Sequence, residues 1–183
     1  MTLDEDEARE LARRMCGVHI ARIEEMPRIE LYLDQVLELV SQSLSFMCLP
    51  GEELLTGSMV NNYVKQRVIP APVRRRYTRR HVATLIYVCA FKRVFSISQI
   101  RDLHQACVDR GVNVAATYDT LAAALEDALV QRFDGRPEVS TPIVALTGIE
   151  GADVAPDLAR MMGAGVEAVA DKVFVEQTLA LVR

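Results

Sequence analysis

Apolar residues recur at helical spacing along almost the whole chain, and the interruptions in that pattern mark its elements. Thr2 and Glu5 form a capping box ahead of Ala8, Leu11, Ala12, Met15 and His19, which predicts a first helix from about Leu3 to Glu25, ended by Pro27. A second helix is expected from about Glu30 to Met47, with Leu33, Val36, Leu37, Val40, Leu44 and Met47 facing the core and Pro50–Gly51 closing it. Ser58 is the expected N-cap of a short third helix, from Met59 to about Val68, whose Val60, Tyr63 and Val64 lie on one side. Ser58, Asn61, Asn62 and Lys65 fall at i, i+3, i+4 and i+7 and share the opposite face. Pro70 and Pro72 stop that helix, and Val73–Arg80 reads as a short turn or hairpin.

Thr78 then caps a helix expected from Arg79 to about Phe95, apolar nearly all round and therefore central and buried. Ser96 with Gln99 opens the next helix, which runs to Gly111, and a long one is expected from Val114 to Phe133. Glycines and prolines make 134–155 an irregular connection, in which the apolar stretch Pro142–Ile149 fits either a buried loop or a short strand. Pro156 begins a last helix reaching Leu181, with Leu158, Met162, Val169 and Val173 as its stripe and Gly163 and Gly165 as weak points. The fold class is all-α, or mainly so. The expected organisation is an N-terminal helix (1–26), a central domain (27–110) and a helical C-terminal region (111–183) suited to dimerisation or effector binding.

Composition narrows the picture. With 50% hydrophobic and 25% charged residues the chain can bury a full core, and low aromatic content favours helix packing over a β-sandwich. The acidic start (Asp4–Glu7) is no secretory signal, and no apolar stretch is long enough to span a membrane, so a cytoplasmic location is expected. Cys16, Cys48, Cys89 and Cys107 have no metal-ligand spacing and read as buried small hydrophobes; no metal or cofactor is expected.

The net charge of −4 conceals a sharp asymmetry. Residues 59–110 hold eleven Lys and Arg against Asp102 and Asp109, while the remainder holds ten basic and twenty-three acidic residues. Lys65, Arg67, Arg74, Arg75, Arg76, Arg79 and Arg80 occupy a stretch with no acid at all. Such a block inside an acidic protein is the footprint expected for a polyanion, a solvated face being the plain alternative. Asn61 and Asn62 can pair with adenine, Lys65 can reach guanine or phosphate, and Arg74, Arg75, Arg76, Arg79 and Arg80 can grip phosphates. Tyr77, among those arginines, either packs inward or donates its hydroxyl to a phosphate.

Four segments carry a resemblance. IELYLDQV (29–36), LTGSMVNNYVKQRVIPAP (55–72), RRYTRRHVATLIYV (75–88) and VFSISQIRDL (94–103) together resemble the bacterial family catalogued as domain of unknown function 1836. The order Val60, Tyr63, Ile69–Pro70, then Arg75-Arg76-Tyr77-Thr78, then Phe95–Ile100 also resembles the winged helix-turn-helix of MerR-like regulators. The second resemblance implies that Asn61, Asn62 and Lys65 face a groove and that Arg75, Arg76 and Tyr77 sit at the wing. Arg67 stands where that group usually has glycine, Asn61 where it has arginine, and between Pro72 and Tyr77 there is room only for a stub of a wing. No cysteine follows Cys107, which speaks against metal sensing by that group's route.

The resulting expectation is a homodimeric regulator reading duplex DNA, with any small-molecule effector unknown. The alternative is a protein-interaction module that keeps the fold and docks an acidic partner on the basic face. An enzyme is not expected: Gly148-Ile-Glu-Gly151 lacks the Gly-Lys-Ser/Thr of a phosphate loop, and His19, His81 and His104 lie on three different expected helices.

Overall fold

The computed structural model describes residues 4–135, 144–149 and 156–182, and among them seven α-helices follow one another. These are α1 (Glu5–Cys16), α2 (Leu33–Ser43), α3 (Gly57–Lys65), α4 (Arg79–Phe91), α5 (Ile97–Asp109), α6 (Val114–Phe133) and α7 (Pro156–Leu181). Among the described residues there are isolated β-bridges but no β-strand.

The first two expected helices are cut short. Asp4 caps α1 by accepting from the Asp6 and Glu7 amides, and the helix ends at Cys16 instead of Glu25. The reason lies far away in sequence, on α6. There Tyr118 donates to the Ala21 carbonyl (2.7 Å), Asp119 accepts from the Ile23 amide (2.9 Å), and Glu126 accepts from the Ile20 amide (2.6 Å) and from Arg22. These side chains satisfy the backbone of residues 20–23, which reaches a short 3-10 turn at Ile23–Glu25, so no continuous α-helix is needed there. Burial pushes the Glu126 carboxyl up, but the Arg22 guanidinium and the Ile20 amide more than offset it and hold it below the ordinary carboxylate value. Likewise α2 spans only Leu33–Ser43, with a separate 3-10 turn at Ser45–Met47.

Helix α4 is central, as its all-round apolarity requires: nine of its thirteen residues are buried, and it packs against α2, α5, α6 and α7. It ends at Phe91, earlier than expected, and Tyr87, Phe91 and Phe95 continue as an aromatic row. Gly165 of α7 sits against that row, where a Cβ would lie 2.8 Å from a ring carbon of Phe91. The close approach explains a glycine inside a continuous helix, despite its cost of about 1 kcal/mol relative to alanine.

Helices α6 and α7 share the most extensive helix packing, and α1 lies on both. Arg132 pairs with Asp171 and Phe133 packs on Phe174, while residues at the start of α6 share a cavity with Met162 near the start of α7. The two helices therefore run in the same direction, and the chain between them must return roughly 30 Å, the length of α6. Part of that return is described: residues 144–149 are extended, Val144 and Leu146 are buried, and Gly148 bridges to Val112. The rest of the connection, including Pro142, lies outside the described residues.

One charged side chain is built into this core. The Arg93 side chain is 6% exposed and reaches Glu52 (2.6 Å), Glu176 (2.5 Å) and the Met47 carbonyl (2.6 Å), tying the α4–α5 junction to α7 and to the loop before α3. Cys89 and Cys107 are buried and Cys48 half-buried, in line with small hydrophobes, whereas Cys16 is exposed.

Candidate nucleic-acid interface

Helix α3 begins two residues earlier than expected. Thr56, not Ser58, is its N-cap, accepting from the Met59 amide, and the hydroxyls of Thr56 and Ser58 share a hydrogen bond of 2.9 Å. The helix stops at Lys65, three residues short of Val68. The face assignment is unaffected, because the spacing within the helix is unchanged: Val60 and Tyr63 are buried, while Ser58, Asn61, Asn62 and Lys65 are all exposed or partly so.

The end of α3 is made by Arg67 at φ 58°. The Arg67 amide donates to the Val64 carbonyl (3.0 Å) and the Val68 amide to the Tyr63 carbonyl (2.9 Å). This is the paired hydrogen-bond pattern that usually carries glycine at the left-handed position. The chain thus keeps the backbone of a glycine stop while using arginine, and Arg67 is exposed.

Further along the chain the same substitution occurs twice in succession. Arg74 and Arg75 have φ 50° and 62°, and the Arg76 amide donates to the Val73 carbonyl (2.9 Å). Two positive φ angles closed by that bond make a two-residue hairpin turn of the kind that strongly favours Asn-Gly. Among the described residues, every non-glycine at positive φ is an arginine. Each such position costs about 1–2 kcal/mol for a residue with a Cβ.

The remaining residues of the run are held more tightly. Arg76 lies over the Tyr32 ring, 3.5 Å from its centroid, and donates to the Tyr32 hydroxyl. Tyr77 pairs its backbone with Leu31 (2.8 and 2.9 Å), is 4% exposed and packs edge-on to His81. Of the two alternatives for Tyr77 the inward one holds, which removes it from the surface. Arg79 is half-buried and paired with Glu24, whereas Arg80 is exposed. Behind the turn, His81 accepts from the Thr78 amide through Nδ1 (3.0 Å), and burial holds the His81 imidazole below its ordinary value while the Pro70 carbonyl pulls the other way.

The basic excess of residues 59–110 therefore divides. Arg93, Arg101 and Arg110 pair with Glu52 and Glu176, Asp102 and Asp157, and Lys92 donates to the Leu54 carbonyl. Lys65, Arg67, Arg74, Arg75 and Arg80 are exposed and make no ion pair among the described residues. The sequence pattern places Arg67 in the basic stretch without giving it a role, and it does not single out Tyr32 at all. For Arg67 the available signal is its place where glycine is usual; Tyr32 has none, because its contact with Arg76 spans 44 residues.

Neither a group of three metal-ligating side chains nor a helix long and apolar enough to cross a membrane occurs among the described residues. A family model described as "Domain of unknown function (DUF1836)" matches residues 21–121, from the extended segment held by α6 into α6 itself. No curated protein and no solved structure matches the chain.

Proposed function

The chain belongs to the DUF1836 family, and from that premise we propose that its central region works as a MerR-like helix-turn-helix with a stub wing, binding duplex DNA as a homodimeric transcriptional regulator. The observation that carries the reading is the set of three exposed arginines at left-handed backbone positions, Arg67, Arg74 and Arg75. Glycine or asparagine would relieve strain at all three, so selection for a surface guanidinium accounts for them better than selection for stability. Arg67 closes the helix whose outer face presents Ser58, Asn61, Asn62 and Lys65, the side chains suited to base edges. Along a fully extended chain the Cα atoms of Arg67 and Arg74 could be no more than about 25 Å apart. That is shorter than one duplex turn of about 34 Å, so the span between them would let the polar face and the arginine turn reach the same stretch of DNA. Arg80 adds a charge with no ion pair among the described residues, while Arg76 and Arg79 contribute from fixed positions on Tyr32 and Glu24. A helix of nine residues buries little surface alone, which favours a two-fold dimer on paired half-sites.

The test is fluorescence-polarisation titration of labelled duplex DNA with the full chain at several salt concentrations. Affinity is expected to fall steeply with salt, and the triple variant R67Q/R74Q/R75Q is expected to flatten the log–log slope by about 0.9 for each phosphate it no longer neutralises. Absence of binding at low ionic strength, or a triple variant that binds like the parent, overturns the reading.

A further inference from the structure

A cavity of about 460 Å3 lies among α4, α5 and the first half of α6, with Met162 of α7 at its back. Its walls are mostly apolar, formed by Ala83, Cys107, Val112 and Leu121 among others. The volume falls within the range of small-molecule sites, roughly 300–1,000 Å3. The space opens to solvent on one side, so a ligand can enter it without the fold having to open.

Two residues of the wall, Thr117 and Tyr87, carry buried hydroxyls that bear on what the occupant carries. The Thr117 side chain is buried, the residue being 6% exposed, and its Oγ1 has no hydrogen-bond partner among the described residues; the Tyr87 hydroxyl is likewise buried and without a partner among them. A helical threonine has an easy partner in the carbonyl four residues back. Thr120 on the same helix takes it, donating to Ala116 (3.0 Å), and Thr84 on α4 donates to Arg80 (2.8 Å). Thr117 does not, and buried hydroxyls left without partners are the exception in folded proteins. His104 lines the same space, with burial holding its imidazole below the ordinary value and so neutral near pH 7. At the opening Val114 and Ile149 are 42% and 73% exposed, an apolar rim, and beside them Arg80 is exposed and makes no ion pair among the described residues.

We propose that this cavity binds a small, largely apolar acid, its body against the aliphatic walls, a hydroxyl or carbonyl group between Thr117 and Tyr87, and its acidic end at Arg80. The site shares Arg80 with the nucleic-acid reading, but none of its inner wall belongs to the α3 face or to the arginine turn, and T117V tests it without touching either.

The probe is 6-hydroxy-2-naphthoic acid, which has a hydroxyl at one end of a flat apolar body and a carboxylate at the other, and whose own fluorescence reports its surroundings. Titration into the full chain is expected to give saturable one-site binding. T117V removes the hydroxyl with little change of shape and is expected to weaken the probe by about tenfold while leaving 2-naphthoic acid unchanged. R80Q at the rim is expected to weaken both acids but not 2-naphthol. A83F fills the space and should abolish binding; its thermal melt reports whether it folds, and T117V and R80Q carry the test if it does not. No saturable binding up to the solubility of the probe, or binding indifferent to both T117V and R80Q, overturns the proposal.

Discussion

Two sets of arginines in this protein use the same side chain in opposite ways. Arg93 and Arg22 are drawn out of solvent and committed to carboxylates and carbonyls, one joining the α4–α5 junction to α7, the other holding the segment before α2 against Glu126. Arg67, Arg74 and Arg75 are exposed, unpaired among the described residues and set at backbone angles that disfavour any residue with a Cβ. The first set holds the fold together and contributes little to the outer field. The second set weakens the fold locally and leaves its charge for something outside the chain. A count of basic residues cannot tell the two apart, whereas burial and backbone angle can.

The largest effect is expected on the buried side. R93M leaves Glu176 and Glu52 facing each other without their shared cation and should destabilise the chain by about 3 kcal/mol or more, read by urea denaturation. A loss below about 1 kcal/mol would mean that the network is worth no more than a surface pair. On the exposed side the sign reverses. R67G, and R74N with R75G, should raise stability by about 1 kcal/mol per position while weakening duplex binding, because they relieve the backbone and remove the charge together. Should these variants unfold at lower urea than the parent, the arginines are stabilising and the contrast fails.

The smallest effect concerns the support behind the turn. His81 accepts from the Thr78 amide and can do so only while neutral, and its folded value lies below the ordinary 6.5. A lowered folded value means that the contribution is intact above about pH 6.5 and is lost as pH falls through the folded value. H81Q keeps an acceptor three residues into the helix, the usual capping-box partner of threonine, so its melting temperature should fall less than the parent's between about pH 7 and about pH 5. His104, also pushed down by burial, preserves part of the slope. Equal slopes in both proteins would separate the cap from the acid sensitivity.

What the sequence makes legible follows from how local the cause is. Helices α6 and α7 run over the expected Val114–Phe133 and Pro156–Leu181, and Ser96 with Gln99 caps α5, because an apolar stripe and an adjacent cap act within a few residues. The end of α1 carries one local mark, Gly17 at its C-cap, but nothing near it says that Tyr118, Asp119 and Glu126, far along the chain, will take the backbone bonds of residues 20–23. The start of α3 has two hydroxyl candidates two positions apart, and local pattern gives no means to choose Thr56 over Ser58. In the candidate interface the exposed face of α3 is readable from spacing alone, and the hairpin from its prolines. The burial of Tyr77, the capture of Arg76 by Tyr32 and the removal of Arg93 from the surface are not, since each depends on a partner at least 41 residues distant. The left-handed turn is hidden for a different reason, because arginine carries no preference for it.

The family's matched stretch ends at residue 121, in the middle of α6. Beyond that point Leu125 and Leu129 remain buried, Glu126 still anchors Ile20 and, within the matched stretch, Arg22, and α1 and α7 both rest on the same helix. The boundary of family likeness is therefore not a boundary of folding. The matched portion leans on a helix that it only half contains, and the rest of α6, together with what packs on it, acts as its scaffold.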